Sequence, residues 1–148
     1  WSRADSPRGE TMIRFVGRLA ELRWLHPSLH ADRYLDLAEK ILPGVARAGF
    51  FEPDGRPVSP ADWEEGEQRA FALRRASLRG GVVDVTLLLL NPRDGALSFV
   101  LPEPSLTWTC ELDSGTEDHS VTAVTDGIEV QAHSIVLLAA QGAGDGPA

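Results

Sequence analysis

Three groups of residues in this sequence have types that could do chemistry: a run of carboxylates, four histidines and a set of tryptophans. Asp113, Glu117 and Asp118 lie close enough to suggest a calcium loop or a paired acid and base. A calcium loop alternates its ligands around a turn glycine in a fixed place, and the segment from Asp113 to His119 lacks that register. It reads as a solvated connection between strands. His26 and His30 stand four apart, but Pro27 breaks the helix that would bring both to one zinc ion. His119 and His133 fall in unrelated segments. Ser134 beside His133, with Asp126 upstream, offers the residue types of a hydrolase triad without the Gly-x-Ser-x-Gly turn that would expose the hydroxyl. The single cysteine, Cys110, excludes an internal disulfide and any CxxC metal site, and it reads as a small packing thiol. These residues assign no catalytic group, no metal ligand and no cofactor.

Tryptophan faces can stack on sugar rings. Trp24 falls in a helical pattern and Trp108 in an alternating strand, where packing is the ordinary role of a large aromatic. Trp63 follows Asp62 in a Pro-rich loop and is the one of the three with a setting for exposure, although packing in the core or between domains is the stronger reading for it as well. Trp63, and after it Trp108, are the candidate carbohydrate-binding residues. The net charge of −8, from 22 acidic and 14 basic side chains, opposes the attraction that drives nucleic-acid binding. It does not disfavour a neutral partner such as a glucan. No run approaches the ~20 apolar residues of a membrane span, so neither nucleic acid nor membrane is an expected partner.

The elements that must position these residues follow from periodicity. Between Thr11 and Leu25, Met12, Phe15, Val16, Leu19 and Leu22 recur at helical spacing, with a start between Ser6-Pro7 and Thr11 and an end forced near His26 by Pro27. Ile13 and Trp24 widen the apolar arc, so the helix is expected to pack against more than the sandwich alone offers, with the further partner upstream. Tyr34, Leu37 and Ile41, with Leu35, Ala38 and Leu42, predict a second short helix stopped by Pro43-Gly44. Phe50-Phe51 leads as a strand into the turn Pro53-Asp54-Gly55 and the loop that holds Trp63.

From Arg69 the pattern is β. The runs Val82 to Leu90 and Leu97 to Leu101, separated by Asn91 to Gly95, predict a hairpin. Further strands are expected at Leu106 to Leu112, Val121 to Val124, Ile128 to Val130 and Ile135 to Ala139. Many short strands without crossover helices predict an antiparallel β-sandwich preceded by one or two α-helices. The expected division is a helical segment at 1–45, a sandwich at 46–141 and a flexible tail at 142–148. With 148 residues the chain can form one core. Its first residue is Trp1, and no apolar leader follows, so the chain is expected to be cut from a longer protein.

The strings LAELRWLHPSLHADRYL (Leu19 to Leu35), FFEPDGRPVSPADW (Phe50 to Trp63), LLLLNPRDGALSFVLP (Leu87 to Pro102), WTCELDSG (Trp108 to Gly115) and VQAHSIVLLA (Val130 to Ala139) together resemble the C-terminal portion of bacterial glycogen debranching enzymes of the isoamylase type, in the α-amylase superfamily. The resemblance implies that the first helix is the last one of a (β/α)₈ catalytic barrel and that the strands form the C-terminal sandwich packed on it. It implies a cytoplasmic parent that hydrolyses α-1,6-glucosidic branch points with two carboxylates about 5–5.5 Å apart at the barrel mouth. Those carboxylates would lie upstream, so the expected partners are the chain's own barrel and, through it, an α-glucan. Two departures stand out: Asp36 to Ala48 reads as helix where such enzymes pass more directly into a strand, and Phe71 to Gly81 is rich in arginine. A carbohydrate-binding module working through Trp63 is the alternative, and a protein-interaction sandwich unrelated to glycans is a remoter one.

Overall fold

Ser6 starts the first element. Its hydroxyl accepts the Gly9 amide at 3.1 Å, Pro7 occupies the first turn, and Glu10 adds a negative charge where the helix dipole favours one. The helix, α1, runs Pro7–Leu25 and ends on His26, whose extended backbone before Pro27 stops it. A single 3₁₀ turn, Pro27–Leu29, follows. The computed structural model describes residues 6–30, 34, 36–64, 69–116 and 121–143.

The expected second helix does not form. The Asp36 carboxylate accepts the amides of Ala38 and Glu39 at 2.8 and 3.3 Å, a local turn that competes with helical hydrogen bonding. Beyond it, β1 (Lys40–Leu42) and β2 (Val45–Ala46) pair around Pro43-Gly44, with Gly44 at φ +76°. Ile41 and Leu42 lie against the main core, and Val45 is wholly buried in it. Apolar residues that look helical by spacing are therefore used in a β ribbon, and the division at residue 45 falls inside that ribbon.

β3 (Ala48–Phe51), β4 (Phe71–Arg79), β5 (Val82–Asn91), β7 (Trp108–Asp113), β8 (Thr122–Val124) and β10 (Ser134–Ala143) form one six-stranded sheet in the order β3-β4-β5-β10-β7-β8. Every pairing in it is antiparallel. β6 (Leu97–Val100) and β9 (Gly127–Val130) pair in a separate ribbon. Side chains alternate along β5, so Val83, Val85, Leu87 and Leu89 face the ribbons while Asp84, Thr86 and Leu88 face the other way. With Trp108, Phe99, Val130, Val136 and Leu138 they make the principal core. The fold is thus mainly β, a helix followed by an antiparallel sandwich whose second layer is two short ribbons, as the sequence predicts.

The hairpin expected between Val82 to Leu90 and Leu97 to Leu101 is replaced by a different one. Both edges of β5 are taken, by β4 and β10, so β6 crosses to the second layer and pairs β9. The hairpin partner of β5 is β4, joined to it through Gly80-Gly81 at φ +60° and +79°, the doubly positive geometry of a two-residue hairpin turn. Asn91 directs the crossover. Its side-chain nitrogen donates to the carbonyls of Gly95, Val130 and Gln131 at 2.9 to 3.0 Å, and its oxygen accepts the Arg93 amide at 3.1 Å. β10 also runs further than its apolar pattern indicates: Gly142 and Ala143 pair with Val83 and Val82, so the strand passes the expected start of the tail.

Arg74 is a charged residue on the core side, 4% exposed. Its guanidinium lies over the Phe51 ring at 4.7 Å and donates to the carbonyls of Glu103 and Gly44 at 2.8 and 3.1 Å. Burial lowers its pKa, and the contacts tie two loops of the second layer to the sheet. Asn91 is 1% exposed, so its loss should leave several buried backbone groups unpaired. Asn91→Ala is expected to lower the unfolding free energy by about 2–3 kcal/mol in urea titration, with an unchanged m-value.

Candidate functional site

Two features join the helix, the sheet and the loops into surfaces that could act on something outside the chain. The first is a buried polar clasp at the end of α1. His26 is 1% exposed, and its Nδ1 meets Asp84 Oδ1 at 2.8 Å. The Ser28 amide donates to Asp84 Oδ2 at 2.9 Å, and the Ser28 and Thr86 hydroxyls lie 2.8 Å apart. Burial pushes the Asp84 carboxyl up, but hydrogen bonds from His26 and Ser28 outweigh it and hold the group below its ordinary value. His26 also caps the helix, its amide donating to the Leu22 carbonyl at 3.0 Å. The helix cannot pivot on the sheet without breaking these bonds.

Beside the clasp, Leu22 and Phe15 pack on Leu88, Leu112 and Leu137. They are the limit of what α1 buries. Met12, Ile13, Val16 and Leu19, counted in the sequence as parts of a packed arc, are all exposed, and Trp24 is 82% exposed. A contiguous apolar flank held rigidly in water is the usual mark of an interface.

The second feature is an aromatic corner around Trp63. A 3₁₀ turn, Ala61–Glu64, carries the ring. The turn is fixed by Asp62, whose carboxylate accepts the Ser59 amide and both terminal nitrogens of Arg56 at 2.7 to 3.0 Å. The Arg56 hydrogen bond holds the Asp62 carboxyl well below the usual carboxylate range. Trp63 meets the Phe50 ring edge-on at 5.1 Å and Phe71 at 6.2 Å, and the Arg69 guanidinium lies 5.6 Å from its centre while pairing with Glu52. Half of Trp63 remains exposed.

The structure separates the two tryptophans proposed for sugar. Trp108 is 1% exposed because it lies on the core-facing side of β7, so it presents no face to a ring. The other residues considered for chemistry stay apart. His133 Nε2 meets Asp94 at 3.0 Å on the surface, while the Ser134 hydroxyl donates to the Ala132 carbonyl. Cys110 is buried. Glu117, Asp118 and His119 lie outside the described residues. Among the described residues no three His, Cys, Asp or Glu side chains gather as metal ligands would, and no helix is long and apolar enough to cross a membrane.

The clasp has a sequence signal that periodicity alone passes over. Asp84 and Thr86 interrupt a dense apolar strand two residues apart, on one face, and a buried strand tolerates them there only with donors from elsewhere. The class defined by this fold is a helix-led, mainly β sandwich domain with an open apolar flank. No protein-family model matches the chain, and no curated protein matches it in sequence.

The Asp84 shift fixes the sign of a pH effect. A carboxyl held below its ordinary value of 3.8 stabilises the fold above that value, and this contribution is lost as pH falls through the folded pKa. Asp84→Asn is expected to cost about 1.5–3 kcal/mol at neutral pH. Urea midpoints taken at neutral and acid pH should also fall less steeply for the variant than for the native chain.

Proposed function

We propose that this chain is the C-terminal β-domain of a cytoplasmic, isoamylase-type glycogen debranching enzyme, in which it packs on the catalytic barrel and supplies no reacting group. The observation that carries this reading is the exposed apolar flank of α1, locked to the sandwich by the His26–Asp84 clasp. A helix fixed at one side to a β-domain and bare on the other suits the joint between two domains, where apolar area removed from water stabilises by about 25 cal/mol per Å². The resemblance of the five sequence segments supplies the parent activity, hydrolysis of α-1,6 branch points in glycogen or limit dextrin. The two carboxylates such chemistry needs belong, on this reading, to the barrel.

The test uses the complete product of the gene that encodes this chain. It should release linear chains from a branched glucan, and the 148-residue chain alone should release none. A complete product without action on α-1,6 linkages overturns the proposal.

A second reading has its own observation: Trp63 is half exposed on a platform braced by Phe50, Phe71 and the Arg56–Asp62 pair. On this reading the domain holds α-glucan through that ring. Titration with maltooligosaccharides should then shift tryptophan emission of the native chain and leave Trp63→Phe unchanged. No response at millimolar sugar removes it.

A further inference from the structure

The sheet face that carries α1 is wider than the helix. Cross-strand register places Phe50, Leu73, Leu88 and Leu137 in one row, and Phe71, Leu90 and Ile135 in the next. Directly opposed residues on antiparallel strands project to the same side, so both rows share the face on which Leu22 sits. α1 lies over β5, β10 and β7. Strands stand about 4.8 Å apart, so three of them span roughly the ~10 Å diameter of one helix. The remaining strip, β3 to β5, is about as wide again. Among the described residues, the turn Pro27–Leu29 covers its Asp84 end. Along the rest, Phe50, Leu73, Leu88, Leu90 and Phe71 are only partly buried, and Ile135 is 39% exposed.

The bare flank of α1 overhangs this strip. Arg18 reaches Glu111 of β7 on one side of the helix. On the other, the register places Arg75 of β4 on the same face as Leu73, where burial lowers its pKa and Arg23 is near enough for its like charge to lower it further. At ~100° per residue, Leu19, Met12 and Val16 fall on the Arg23 side. The result is a trough with an apolar floor, an apolar wall and Trp63 with its aromatic neighbours at the β3 corner.

Charge selects what could fill it. Arg23 and Arg75 repel one another, and among the described residues neither has a carboxylate partner; the Arg75 Nε is buried without any hydrogen bond. We propose that the trough receives one amphipathic α-helix lying beside α1, with Asp or Glu along the edge that meets Arg23 and Arg75. Helices packed side by side sit 8–10 Å apart, which the strip accommodates. The inference rests on the reading of this face as a joint with a catalytic barrel, and it adds the secondary structure and charge of the segment that docks. A second copy fits less well: α1 has four arginines and two glutamates, so pairing α1 with itself brings like charges together. An anionic membrane also fits less well, since the trough is recessed behind the helix.

The test uses the 148-residue chain and two labelled synthetic peptides with the same Leu/Ala helical face, one flanked by Glu and one by Lys. Fluorescence anisotropy should show the Glu peptide binding at least about tenfold tighter at low salt, with the difference shrinking as salt rises. Arg23→Glu combined with Arg75→Glu should reverse the preference, whereas Arg14→Ala, on the other side of α1, should not change it. Arg23→Glu alone should keep or raise the urea midpoint, since Glu at 23 would pair with Arg75, so lost binding there is not lost folding. Leu73→Ser should weaken both peptides together.

Equal affinity for the two peptides, or none for either, overturns the proposal. So does a dimer in sedimentation that Leu19→Asp abolishes, or a preference for phosphatidylserine vesicles over the Glu peptide. Branch-point hydrolysis by the complete gene product without peptide discrimination sinks the trough and leaves the barrel reading. Discrimination without hydrolysis does the reverse.

Discussion

A carboxylate in the middle of an apolar strand has to find hydrogen-bond donors or destabilise the strand that carries it. Asp84 finds them in His26 Nδ1 and the Ser28 amide, and both lie just past the end of α1. This constraint sets the position of the helix. Leu22 falls on Leu112 and Leu137 because the chain is pinned one turn later, and the side of α1 left in water is fixed by the same geometry. Apolar packing alone, with only Leu22 fully buried along nineteen residues, would let the helix slide; the directional bonds at its end do not.

The two faces of the six-stranded sheet are built differently. The ribbon side is closed by Trp108, Phe99 and the valines and leucines of β5 and β10, with Arg74 tying the outer loops inward. The helix side is half closed, with polar clasp, apolar strip and aromatic corner in sequence across it. Most of the buried apolar core therefore lies on one face. The arginine-rich stretch Phe71 to Gly81 makes sense in these terms. Its alternation sends Arg74 into the core and Arg75 to the open face, and Gly80-Gly81 supplies the turn that starts β5.

Much of this is legible in the sequence. The end of α1 follows from His26-Pro27, and its start is bracketed by Ser6-Pro7 and Thr11, because caps and prolines act locally. The longer strands follow from alternation, whereas β1 and β2 lie in a stretch whose spacing reads as helix. The second helix failed because the spacing of Leu37, Ile41 and Leu42 is compatible with a ribbon once Asp36 captures the amides beyond it. The β5–β6 hairpin failed because a strand has only two edges, and the sequence does not say that β10 arrives to take one. Trp63 and Trp108 could be told apart in outline, loop against strand, but the burial of Trp108 depends on a second layer contributed by residues far along the chain.

The amino-acid sequence by itself determined the class of fold, the end of the helix at His26-Pro27 and the turn at Gly55. These depend on φ preferences, caps and side-chain alternation, which act over a few neighbours. The tertiary structure decided which strands pair, which tryptophan meets water, and that His26 and Asp84, fifty-eight positions apart, form one bond. Contacts of that range depend on the closure of the whole sheet, and no local pattern encodes them.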